Sequence, residues 1–131
     1  MSGPALSLCI ALIGGDPVRV PAVAFELRWT HSVEKIEWQE DWRATPAGLR
    51  VVSARIRGSG AGMEPPDDAR LEDGWWVYTP GIGPQERVVL AASDFTADHI
   101  LCAGGSCKEL SDWVHRPAGD DRPVEMSVCS R

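Results

Sequence analysis

From Phe25 onward the chain alternates. Phe25, Leu27 and Trp29 fall on one side, Glu26, Arg28 and Thr30 on the other, which is the period of a half-buried β-strand. His31 continues the apolar side. After Ser32 to Lys35 the alternation resumes, with Ile36, Trp38, Glu40 and Trp42 set against Glu37, Gln39, Asp41 and Arg43. Pairing Trp29 with Trp38 closes a hairpin. His31 then lies opposite Ile36, the loop runs from Ser32 to Lys35, and both apolar sets share one face. An amphipathic helix from Ser32, with Glu34, Trp38 and Trp42 spaced by four, is the rival. The strict alternation that precedes it favours strands.

The same logic reads the rest of the chain as short strands. The apolar run from Ala5 to Ile13 is a first strand. "PAG" at Pro46 to Gly48 is a turn, and "LRVVSARIRG" after it is β-branched and strand-like. "GSGAGMEPPDD" is a loop that no regular element absorbs. "GWWVYTP", "ERVVLAA" and "PVEMSVC" are further strands, with "GIGP" and "RPAGDDRP" as turns. "HILCAGGSCKEL" reads as two short strands around Gly104-Gly105. Nine or ten such strands at turn-like spacing predict an all-β fold: a small antiparallel sandwich or barrel, as a single domain over residues 1–131.

Composition narrows the partners. Net charge is −6 and the pI near 5.0. No long basic stripe is present, which argues against duplex DNA or an anionic membrane as the main partner. Six tryptophans outnumber two phenylalanines and one tyrosine, a balance that suggests buried anchors or a stacking surface. The Ala5–Ile13 run is too short to span a bilayer and no basic residue precedes Arg19, unlike a signal peptide. A cytoplasmic location follows on that reading, with the periplasm as the alternative if a leader was removed upstream.

The candidate chemistry is sparse. His31 and Ser32 are neighbours, but strand neighbours point to opposite faces, so they do not make a nucleophile–base pair. No "GxSxG" elbow exists. Glu40 carries more information, because it lies between Trp38 and Trp42 on the apolar face. A carboxylate there needs a partner: an arginine of "RVVSARIR" (Arg55 or Arg57), His31, or a ligand. A structural ion pair is the expected answer. The glycines of "GSGAGM" at Gly58, Gly60 and Gly62 do not fit the dinucleotide fingerprint. They serve turns or close packing, or let backbone amides approach an anion. The candidate ligand-binding set is therefore His31, Ser32, Glu34, Glu40, Arg55, Gly58, Gly60 and Gly62. No catalytic residue, metal ligand or cofactor is assigned.

Four cysteines remain. A two-residue turn at Gly104-Gly105 brings Cys102 and Cys107 to a non-hydrogen-bonded pair, within disulfide reach. Cys9 and Cys129 meet if the first and last strands pair. A zinc half-site and free thiols are the competing states.

"FELRWTHSVEKIEWQEDW", "ARIRGSGAGMEPP", "LEDGWW" and the closing "LC..G.C..L" pattern resemble the bacterial domain-of-unknown-function family 1850. The resemblance runs from Cys9 to about Leu110 and includes "VEMSVC". No biochemical activity is established for the family. Its members often accompany tripartite ATP-independent periplasmic (TRAP) transporters of the TAXI type, and many carry an N-terminal membrane segment, for which the Ala5–Ile13 run is too short. The "HSVEK", "GSGAGM" and cysteine positions match its pattern. The resemblance implies a non-enzymatic accessory or binding domain of a TRAP-type system, with transporter components or a small anionic solute as partners. The alternative is a small-molecule, anion-binding or hydrolytic domain that uses His31 and Glu40.

Overall fold

The computed structural model describes residues 6–30, 36–57, 66–91 and 99–130. Its strands are β1 (Leu6–Leu12), β2 (Val18–Val20), β3 (Ala24–Thr30), β4 (Glu37–Thr45), β5 (Gly48–Arg57), β6 (Arg70–Glu72), β7 (Trp75–Tyr78), β8 (Arg87–Leu90), β9 (Ile100–Ala103), β10 (Ser106–Glu109) and β11 (Val124–Ser130). One short helix, α1 (Leu110–Val114), precedes β11. The strands form two antiparallel sheets, of order β2-β1-β11-β8 and β10-β9-β3-β4-β5-β7-β6. The architecture is thus all-β and sandwich-like.

The expected hairpin is β3–β4. Trp29 stands opposite Trp38, and Phe25 opposite Trp42. The Trp29 and Trp38 rings stack at 5.7 Å, the Phe25 and Trp42 rings at 6.1 Å. Glu37–Thr45 is strand throughout, so the rival helix does not form there. The loop from His31 to Lys35 lies outside the described residues.

β4 and β5 keep their apolar sides together through a bulge. Asp41 pairs with Ser53 but Trp42 with Val51, which leaves Val52 unpaired. The extra residue lets Leu49 and Val51 face the core below the bulge while Ala54 and Ile56 do so above it. All four are buried, and Val52 is 46% exposed. Against this face the four-stranded sheet lays Leu8, Ile10 and Leu12 of β1 and Val124 and Met126 of β11. Burial of these apolar side chains is the main favourable term for the fold.

Three elements escaped the sequence reading: β2, β6 and α1. β6 and β7 join through Asp73-Gly74, both at positive φ, the two-residue turn that suits hairpin twist. The Asp-Gly dipeptide was the available signal. α1 buries Leu110 and Val114, one helical turn apart. Trp113 fixes it by donating from Nε1 to the Leu101 carbonyl at 3.0 Å.

Candidate functional site

On the core face, one cross-strand row reads Leu101, Leu27, Glu40, Ala54, Tyr78. The row continues past Leu101 to exposed Lys108 at the sheet edge, and Glu40 is the charge at its interior. Above it runs a row of three tryptophans and an isoleucine, Trp29, Trp38, Ile56 and Trp76. Trp38 Nε1 is buried with no hydrogen-bond partner among the described residues.

Glu40 also borders a cleft of about 250 Å³ that opens between the sheets. Trp42 and Val51 line it from the larger sheet; Ile82, Gly83, Gln85, Arg87 and Val88 line it from the opposite side. That second wall is pinned at Gln85, whose backbone exchanges two hydrogen bonds with Leu49 at 2.7 and 2.8 Å. Gly48 makes the approach possible. It holds φ +132, and a Cβ there would meet the Gln85 carbonyl oxygen at 2.6 Å. Gln85 Nε2 donates to the Gly83 carbonyl at 3.0 Å and braces the loop.

Glu40 Oε1 accepts from Trp42 Nε1 at 3.1 Å. Burial pushes its carboxyl above the ordinary range, and the indole bond offsets part of the effect. The Tyr78 hydroxyl is raised as well, by burial first and then by the Glu40 charge. The expected arginine partner is corrected by register. Arg55 pairs with Gln39, one residue from Glu40, so it projects from the opposite face of the sheet. Its Nε donates to Gln39 Oε1 at 2.6 Å instead. Arg57, two residues on, shares that outer face. Among the described residues, Glu40 forms no ion pair.

Of the candidate ligand-binding set, the structure therefore places Glu40 in the cleft and Arg55 on the other side of the sheet. His31, Ser32, Glu34, Gly58, Gly60 and Gly62 lie outside the described residues. Gln85, Arg87 and Tyr78 were missed. Nothing local marks Gln85 or Arg87, and Tyr78 joins Glu40 only through the β5–β7 register.

A second, open cleft of about 440 Å³ lies on the outer face, bordered by Glu26, Asp41 and Arg43 and by the β9–β10 hairpin. Glu26 stands opposite both Asp41 and Cys102 and accepts from Arg28 Nε. Burial raises the Asp41 carboxyl, the Glu26 charge adds to this, and Arg55 and Arg28 oppose it. Cys102 and Cys107 are directly opposite and disulfide-bonded, with Cα atoms 4.0 Å apart; Cys9 and Cys129 are bonded at 5.7 Å. Among the described residues no group of three His, Cys, Asp or Glu side chains could hold a metal ion. No helix among them is long and apolar enough to cross a membrane.

Residues 25–110 match the family described as Domain of unknown function (DUF1850). The match spans the seven-stranded sheet from the second residue of β3, together with β8, and leaves β1, β2 and β11 outside it. No curated protein and no solved structure matches the chain.

Proposed function

The chain belongs to the DUF1850 family, and we propose that it is a non-enzymatic binding domain, an accessory of a TRAP-type (TAXI) solute transport system, with the inter-sheet cleft as its binding site. The observation that carries the binding role is Glu40: a carboxylate in a mostly apolar cleft, held by one indole N–H and in no ion pair among the described residues, while Arg87 of the same lining is paired with Glu125. Concave apolar sites with one or two fixed polar groups are how small molecules are held. A solute that donates hydrogen bonds to Glu40 would complete the site. Among the described residues the lining offers no serine, threonine, cysteine or histidine, which favours binding over acyl-transfer chemistry. The link to transport rests on the resemblance to the family.

Two measurements test the two parts. Purified protein, titrated with a panel of small polar solutes, should give saturable tryptophan fluorescence changes that Glu40→Gln weakens. A panel without a single saturating, Glu40-dependent response counts against the cleft. Quantitative affinity purification from native cells should enrich TRAP membrane subunits over a tag-only control, and equal recovery would remove the transport assignment.

A further inference from the structure

The outer face of the seven-stranded sheet carries a second, independent constellation. Arg55 and Arg57 are two residues apart on β5 and so share a face. Trp75 of β7 stands directly opposite Arg57. The guanidinium carbons of Arg55 and Arg57 lie 5.3 and 5.4 Å from the centroid of that one indole ring. Two like charges are thus gathered on a single aromatic platform, in a chain whose net charge is −6. Attraction to the ring offsets part of their mutual repulsion. Among the described residues neither guanidinium forms an ion pair.

The arrangement is braced from below. Gln39 is 8% exposed, and its Nε2 donates to Glu37 Oε2 at 3.0 Å. That bond turns the amide oxygen toward Arg55, which donates to it from Nε at 2.6 Å. The brace uses Nε, and among the described residues no hydrogen-bond acceptor takes the two terminal nitrogens of Arg55. Guanidinium forks match planar oxyanions in bidentate fashion.

We propose that Arg55, Arg57 and Trp75 form a binding site for small organic carboxylates. The carboxylate bridges the two guanidinium groups and relieves their repulsion. Its carbon skeleton lies along the exposed part of Trp75. Glu72, opposite Trp75 on β6, disfavours a second negative charge on that side, so a compact monocarboxylate fits better than a di- or polyanion. The site shares no residue with the Glu40 cleft.

Calorimetric titration at constant ionic strength tests it, with succinate, benzoate and inorganic phosphate as probes. At least one carboxylate should bind saturably, and more tightly than phosphate. Arg57→Gln should weaken it by about tenfold or more, the scale of losing a charge-assisted bidentate contact. Arg55→Lys should weaken it too, although the charge is kept. Arg50→Gln, an exposed change on the same strand, and Glu40→Gln in the other cleft should leave it unaltered. No saturable carboxylate binding, tighter binding of phosphate, or equal losses in Arg50→Gln and Arg57→Gln would overturn the proposal. Near-ultraviolet dichroism of each variant confirms that an observed loss is not unfolding.

Discussion

Glu40 is held by an indole rather than by a cation, and this changes what its removal should do. Its folded-state carboxyl is raised by burial, so the native state holds the proton more tightly than the unfolded chain does. Its contribution to stability therefore falls as pH rises from the ordinary carboxylate range, near 4.3, through the higher folded value. Glu40→Gln should stabilise the protein at neutral pH by on the order of 1 kcal/mol, with the gain fading toward pH 4. Urea midpoints measured between pH 4 and 8 check this; a constant or destabilising effect would mean a cationic partner is present. Gly48 gives a second residue-scale test. Gly48→Ala combines positive φ with a backbone clash at Gln85 and should cost about 2–4 kcal/mol. Gly74→Ala, at φ +86 with open space around it, should cost only ~1–2 kcal/mol. Similar losses at both positions would mean that the Gly48–Gln85 contact is not tight.

At the scale of elements, alternation made the β3–β4 hairpin legible, because each residue of a half-buried strand votes on its own face. The same rule could not reveal the partner of Glu40. Placing Arg55 requires the bulge at Val52, and a bulge moves every later side chain of β5 to the other face without any mark in the sequence. β2 and β6 are three residues each, too short for a period to register. α1 is five residues long and owes its place to packing rather than to propensity. Trp113→Phe should expose this: it keeps most of the apolar area but removes the indole bond to the Leu101 carbonyl. A loss of about 1 kcal/mol, with faster amide exchange confined to β9, β10 and α1, is the expected result. Global loss of protection would instead place α1 inside the main cooperative unit.

Across the whole molecule, the two sheets differ in how the chain builds them. The strands of the seven-stranded sheet all lie within one stretch of chain, interrupted only by β8, and the family match covers that stretch almost entirely. The four-stranded sheet takes three of its strands, β1, β2 and β11, from the two ends of the described chain and only β8 from between, with Cys9 of β1 bonded to Cys129 of β11 across 120 positions. In the chain-entropy account, this bond is worth nearly 5 kcal/mol and Cys102–Cys107 ~2 kcal/mol. Cys9→Ser/Cys129→Ser should therefore lower stability by more than Cys102→Ser/Cys107→Ser, as read from denaturant midpoints of the two double variants; the reverse order would mean that the β1–β11 ladder alone closes the sheet. The same wiring bears on biosynthesis. β1, with Leu8 and Ile10 destined for the interior, leaves the ribosome well before β11 exists to pair with it. At 5–20 residues per second the wait is on the order of ten seconds. For that interval a sticky amphipathic segment has no native neighbour on its β11 side, so maturation of this domain cannot proceed vectorially from its first strand. The nascent chain should engage general holdase chaperones early, and release should coincide with emergence of the final strand.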